Sequence, residues 1–340
     1  MLFGRDKVSF LNLPTPIEYL ANVSADLGIE LYIKRDDLTS IGLGGNKLRK
    51  LEYIVKDARD KGATMLITCG DVQTNHGRQT AAVAAKCGFK CALALIGKKP
   101  EQLTSNLLLD HLFGADVVFY ERDNNPWPVQ CDHIMKSTAE FYESRGERVY
   151  EIPCGASNTL GFLGYYECAM EITQQAQEMN LTDAKVCVSY GSLGTFLGLY
   201  CGLRNENSPL STIPIMVSPN YGEKECMQYW DEIRNTYPMS FDLEWDDLHV
   251  ETGYVHDGYN IPNQHVRKAI EYLASREGIV LDPTYTGKCF AGLIDMVHEG
   301  RIRKGEKIIF VHTGGWPLIY AEGHREGFEE DFCFNGKCST

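Results

Sequence analysis

Short apolar, β-rich runs alternate with helix-like runs along most of this chain, and few architectures tolerate that order. Met65–Cys69 reads as a buried strand, followed by a helix through Gln79–Lys86. Cys91–Ile96 and Asp116–Tyr120 are further strands, with a helix around Leu103–Phe113 between them. A helix through Met135–Arg145 leads to a strand at Val149–Ile152. The alternation resumes with a helix over Leu163–Gln177 and strands at Val186–Tyr190, Ile215–Ser218 and Ile308–His312. Strands this short and this apolar are buried on both faces, as in parallel sheets. The pattern predicts an α/β protein with two open, mostly parallel twisted sheets and helices on both faces. The acidic stretch Asp242–Asp247 reads as a surface connection.

Open α/β sheets bind ligands beyond the carboxyl ends of their strands. Several polar, mostly glycine-bearing loops stand at such ends here. Gly44–Lys50 joins a glycine turn to a helix predicted over Lys47–Lys61, with Gly62 to end it. Lys47 then lies in the first turn, near the positive end of the helix dipole, with Arg49 and Lys50 adding charge nearby. Such a field favours the free amine, which is the form a covalent carbonyl adduct needs. A solvated cationic helix start is the plain alternative. Tyr190–Thr195 follows a strand and opens an apolar helix. Its glycines, the Ser192 and Thr195 hydroxyls and the helix dipole suit a single phosphate. It has neither dinucleotide-fingerprint nor P-loop spacing. Gly70–Arg78 carries Thr74, Asn75 and His76 in a row, where Asn75 could be only a helix cap. Asp282–Lys288 and His312–Trp316 complete the set. Together they predict one shared cleft.

The bulk numbers exclude some partners. Lys and Arg total 33 against 46 Asp and Glu, a net charge of −13, which argues against nucleic acid or an anionic membrane. No apolar run approaches membrane-spanning length, and the N-terminus lacks secretory-signal features. The 12 cysteines are scattered without a Cys-x-x-Cys pair, so no metal is expected and Cys69, Cys187 and Cys201 read as buried free thiols. Cys333 and Cys338 in the tail could react or pair. A reducing cytoplasm is the simplest home for so many thiols.

Ordered blocks of residues carry a resemblance. Arg35–Thr39, Gly44–Glu52, Gln73–His76, Arg78–Ala82, Gly161–Tyr165, Gly191–Thr195, Leu281–Lys288 and His312–Gly315 resemble the D-cysteine desulfhydrase and 1-aminocyclopropane-1-carboxylate deaminase family. The resemblance runs from about Leu13 to Tyr320. It implies a pyridoxal 5'-phosphate enzyme of tryptophan-synthase-β-like fold, a homodimer acting on a small amino acid. Carried over, Lys47 is the lysine that binds the cofactor covalently. Lys50 and Gly191, Ser192, Leu193, Gly194 and Thr195 are phosphate contacts. Asn75 lies beside the ring, and Thr74, Asn75 and His76 hold the substrate carboxylate. Tyr259 and Tyr285 are the active-site tyrosines, and Thr286 and Thr313 surround the pyridine nitrogen. For Lys47, the Gly191 loop and the Thr74 loop to converge on one cofactor, the simplest arrangement is a large domain of residues 1–50 and 158–340 with a small domain, 51–157, inserted in it.

Thr286 and Thr313 stand where the deaminase branch has glutamate and leucine. A hydroxyl stabilises a carbanion less than a charged ring does, so both favour β-elimination over cyclopropane opening. Thr74 replaces the family's usual serine, Gly77 a residue with a side chain, and Trp316 a small residue expected in the substrate wall. D-cysteine is the first substrate expectation, giving pyruvate, ammonia and sulfide. L-cysteate or another β-substituted amino acid, and a non-catalytic ligand-binding relative, remain alternatives.

Overall fold

The computed structural model describes residues 1–334, so Cys338 lies outside the described residues. In chain order the elements are β1 (Ile17–Tyr19), α1 (Ala21–Leu27), β2 (Glu30–Arg35), α2 (Lys47–Asp60), β3 (Met65–Asp71), α3 (Asn75–Cys87) and β4 (Lys90–Ile96). Then come α4 (Ser105–Leu112), β5 (Asp116–Tyr120), α5 (Trp127–Glu143), β6 (Val149–Glu151), α6 (Thr159–Glu178), β7 (Lys185–Tyr190) and α7 (Gly194–Asn205). The chain continues through β8 (Ser211–Met216), α8 (Glu223–Thr236), α9 (Gln264–Glu277), α10 (Thr286–His298), β9 (Lys307–His312) and α11 (Glu322–Phe334). No described helix is long and apolar enough to cross a membrane.

Two sheets form, as the alternation predicted. One has the order β1-β2-β9-β7-β8, parallel except for antiparallel β1. The other, β5-β4-β3-β6, is parallel throughout and built from a continuous stretch of chain. Its central strand β3 is buried along nearly its whole length, because helices cover both faces. Register aligns the strand ends that matter: Arg35 pairs with His312, and Asp71 with Ile96. The loops that follow β2, β3, β6, β7, β8 and β9 therefore open toward common ground.

Three elements differ from expectation for identifiable reasons. β2 was not foreseen because Lys34 and Arg35 interrupt its apolar pattern. Lys34 is nevertheless buried, with its ammonium on Glu171, Gln175 and the Thr15 carbonyl. β8 begins at Ser211, four residues earlier than expected, because Pro214 is tolerated in a strand at the sheet edge. α5 starts eight residues before Met135, with Pro128 accommodated in its first turn. The Asp242–Asp247 connection is not wholly superficial: Leu243 is buried and Trp245 meets the Tyr190 ring edge-on at 6.1 Å.

Helix α2 is held in place by close packing and by charge. A Cβ at Gly164 of α6 would lie 2.5 Å from the Arg49 carbonyl and 2.6 Å from the Lys50 nitrogen, so only glycine lets the two backbones meet. Arg49 is buried and donates to Asp36 (2.8 Å) and Glu171 (2.9 and 3.0 Å). Tyr165 adds its hydroxyl to Asp36 at 2.6 Å. The guanidinium holds the Asp36 carboxyl down at about 2 despite full burial. Removing one partner of such a pair costs ~3–5 kcal/mol, because the other charge is left buried and alone.

Candidate active site

Two small adjoining cavities lie where these loops meet, and Lys47, Asn75, Ser192 and Tyr285 line both. Lys47 is the first residue of α2. Its backbone N–H donates to Gln79 Oε1 at 3.0 Å, and its ammonium to Asn46 Oδ1 at 3.0 Å. Asn46 in turn donates to Thr195 Oγ1 at 2.9 Å, tying the lysine to the α7 loop. Burial lowers the Lys47 amine to about 8. This corrects the expected cause. Arg49 is engaged with Asp36 and Glu171, and desolvation rather than neighbouring charge is the main influence on Lys47.

The second cavity is lined by Gly191, Ser192, Leu193, Thr195 and Thr313. The N-terminus of α7 opens into it. Lys50 is fully buried and donates to the Gly155 carbonyl at 3.1 Å; among the described residues no carboxylate pairs with it. Burial and the neighbouring Lys47 push its amine well down. A Cβ at Gly194 would lie 2.8 Å from Lys50 Nζ and 2.9 Å from Ser157 Oγ, so the bare glycine leaves the ammonium room at the helix end. A buried cation without a counter-charge, beside a helix N-terminus with hydroxyls, is a phosphate site in its chemistry. With a primary amine at the shared wall, these residues fit pyridoxal phosphate.

The first cavity is lined by Thr74, Asn75 and His76 of the α3 entry, together with Tyr259 and Tyr285. Thr74, not Asn75, is the N-cap, its hydroxyl accepting from the Gly77 N–H at 3.2 Å. Asn75 Oδ1 accepts from Asn106 at 2.8 Å. His76 is held neutral, its imidazole pushed down to about 3 by burial. Thr68 gives its own proton to the Ile152 carbonyl, so it accepts from His76 Nε2 (2.7 Å). Nδ1 is then an acceptor, and it has no partner. His76 is therefore an uncharged wall of the cavity, beside the Thr74 and Asn75 side chains at the helix N-terminus. The Tyr259 and Tyr285 hydroxyls meet at 2.5 Å, and the Lys47 amine lies 6.0 Å from the Tyr285 ring centre. Burial raises both phenols, so both keep their protons at neutral pH.

Two departures from the family pattern explain each other. A Cβ on Gly77 would fall 2.4 Å from Thr74 Cγ2, while its next neighbours, the Leu93 methyls, lie at 3.4 and 3.6 Å. The threonine methyl occupies the space that a side chain at 77 would need.

Four expected residues, Lys50, Gly194, Thr286 and Trp316, line neither cavity. Thr286 is fully buried at the start of α10, its hydroxyl donating to Asp282 Oδ1 at 2.7 Å and accepting from the Asp282 N–H at 2.8 Å. It lines neither cavity, and its hydroxyl is already used. Trp316 is half-buried in the turn after Gly315 and lines neither cavity. The first cavity also has walls that the sequence did not reveal: Trp127, Cys154, Ser218, Asn220 and Tyr221. All but Trp127 stand at or just beyond a strand's carboxyl end, and that position was the available signal.

Comparison with known proteins agrees with this geometry. Residues 8–314 match the family described as pyridoxal-phosphate dependent enzyme. D-cysteine desulfhydrase of Salmonella typhimurium is 41% identical over 323 residues, covering 93% of this chain and 95% of that protein. A crystal structure of an ACC deaminase homologue superposes with a TM-score of 0.86 at 35% identity, covering 95% of this chain and 96% of the other. An O-ureido-L-serine synthase structure, at 18% identity and a TM-score of 0.67 over 95% and 96% of the two chains, shares the fold alone. The two-sheet architecture is the tryptophan-synthase-β-like fold, and the chain belongs to the pyridoxal-phosphate-dependent enzyme family.

Proposed function

We propose that this enzyme performs β-elimination on D-cysteine, adding one water overall and releasing pyruvate, ammonia and hydrogen sulfide. The carrying observation is a buried, depressed-pKa lysine at the junction of a phosphate-suited cavity and a small polar one. The 41% identical desulfhydrase supports the substrate. Pyridoxal phosphate, when bound, supplies the electron sink. Lys47 is its covalent anchor, with Asn75 beside the ring and Thr313 at the far end. Lys50 and the Gly191–Thr195 loop hold the phosphate. Thr74 and Asn75, at the N-terminus of α3, orient the substrate carboxylate. The Lys47 amine, when free, takes the proton from the substrate Cα, since a base near 8 suits that task. The protonated Tyr259–Tyr285 pair supplies a proton to the departing sulfur. Tyr221 and Trp127 in the cavity wall exclude water from the reacting centre.

A small inserted domain, 51–157, set against a large one of 1–50 and 158–340 belongs to the same reading, with the cavities in the cleft between them. So do a homodimeric assembly and a cytoplasmic setting, the latter supported by buried thiols such as Cys69, Cys91 and Cys201 that form no disulfide. The test is pyruvate release from D- and L-cysteine, cysteate, β-chloroalanine and diaminopropionate, with 2-oxobutyrate release from 1-aminocyclopropane-1-carboxylate. D-cysteine should lead by kcat/KM. Faster turnover of the L-isomer or of the cyclopropane would overturn the assignment.

A further inference from the structure

Three cysteines from separate elements converge behind the wall of the first cavity. Cys69 lies within β3, Cys131 on α5, and Cys154 in the short turn after β6. Their sulfurs all lie within 4.8 Å of one another. Cys69 and Cys131 are buried, whereas Cys154 is only half-buried and lines the cavity. We propose that Cys69, Cys131 and Cys154 form a trigonal thiolate site for one thiophilic ion of the arsenite and cadmium class, entered from the substrate cavity.

Geometry carries the proposal. Three thiolates around one ion at a metal–sulfur distance of ~2.3 Å are separated by ~4 Å, so the cluster needs to contract by less than ~1 Å. Ordinary core packing explains buried cysteines elsewhere, such as Cys187 and Cys289, whose sulfurs meet at 3.8 Å. That pair is buried on both sides and reaches no cavity wall. The three-cysteine cluster differs by having a third sulfur and an open approach.

Arsenite is the best match in charge. As(OH)3 and three thiols give As(SR)3 and three waters: three S–H and three As–O bonds break, three As–S bonds form, and no electrons are transferred. The neutral product avoids burying net charge. Cadmium leaves one negative charge beside the cationic Lys47 and Lys50. An ion on Cys154 sits against the wall that also carries His76, Trp127 and Tyr221, and so narrows the first cavity. The second cavity has none of the three sulfurs in its lining, so cofactor binding persists.

The experiment uses the reduced holoenzyme with arsenite, and separately with cadmium. Bound arsenic per chain is measured after gel filtration, and the cysteines protected from alkylation are mapped by peptide mass. We expect one ion per chain, protection of Cys69, Cys131 and Cys154 together, lost turnover and an unchanged cofactor absorbance. Cys131→Ser, which touches no cavity, should keep its turnover and need at least about tenfold more arsenite for the same inhibition. Equal sensitivity of Cys131→Ser overturns the proposal. So does protection only at other cysteines, or protection that appears only after an oxidant is added. Should Cys131→Ser fail to fold, the wild-type protection map decides alone.

Discussion

The Thr74–Gly77 contact makes a prediction that can be worked from the coordinates. Gly77→Ala places a Cβ 2.4 Å from Thr74 Cγ2, about 1 Å inside ordinary van der Waals contact. Thr74 cannot simply turn its methyl away, because its hydroxyl caps the Gly77 N–H at 3.2 Å. Overpacking of this kind costs ~1–3 kcal/mol, against ~0.5–1 kcal/mol gained by replacing glycine with alanine in a helix. Gly77→Ala alone should therefore destabilise by about 1–2 kcal/mol. Thr74→Ser alone should lose roughly 0.8 kcal/mol for the buried methyl. In the Thr74→Ser background the alanine Cβ meets only the Leu93 methyls, at 3.4 and 3.6 Å, and the helix gain should be recovered. The double-mutant cycle should then give a favourable coupling of ~1–3 kcal/mol. Reversible urea unfolding of all four proteins measures it. Effects that add within ~0.5 kcal/mol would refute the claim that the methyl fills the space of a side chain at 77.

Lys47→Ala should abolish the cofactor's visible absorbance and turnover while far-ultraviolet circular dichroism is unchanged; retained turnover would exclude Lys47 as the anchor. In cofactor-free protein, covalent attachment of pyridoxal phosphate should rise with pH to a midpoint near 8, since burial lowers the amine from 10.5 to about 8. A midpoint near 10 would show the amine to be solvated. Lys50→Met should weaken cofactor affinity at least tenfold yet spare apo-protein stability, because it removes a buried cation that has no carboxylate partner. Asp36→Ala should cost up to ~3–5 kcal/mol by leaving the buried Arg49 guanidinium only its pairing with Glu171. The Asp36 carboxyl is depressed from 3.8 to about 2, so its contribution is complete above 3.8 and is lost as pH falls through 2. Acid unfolding followed in wild type and Asp36→Ala should diverge least at the lowest pH.

Legibility from sequence followed the physics of each feature. Strands such as Asp116–Tyr120 could be read residue for residue, because continuous apolar runs between polar loops have few alternatives. β2 could not, since its buried Lys34 depends on Glu171, Gln175 and a carbonyl far away in the chain. The polar strand ends announced a cleft, and Lys47, Asn75, Ser192 and Tyr285 do meet there. What a hydroxyl is bonded to is not written locally, so Thr286 could not be seen to spend its hydroxyl on Asp282. Trp316, which lines neither cavity, follows two glycines with φ of +82° and +91°, a backbone direction that the local sequence does not specify. The thiol cluster was hidden because its members occupy three elements with no spacing motif.

The segment Lys47–Lys50 shows why cationic residues in a row need not share a task. Positions 47 and 50 are three apart on α2, hence neighbours on one helix face, while 49 points elsewhere. Lys47 lines both cavities while Lys50 reaches the Gly155 carbonyl, and burial lowers both amines. The other face carries a guanidinium raised by Asp36 and bound to Glu171 of α6. The ion pair therefore fixes the helix whose first turn presents the amine, and Gly164 allows the backbones close enough for it to do so. Shifting Lys47 by one residue would move it about 100° around the axis and out of the cavities. Arg49→Lys keeps the charge but loses the forked geometry that spans Asp36 and Glu171. It therefore disturbs the position of Lys47 without touching either cavity.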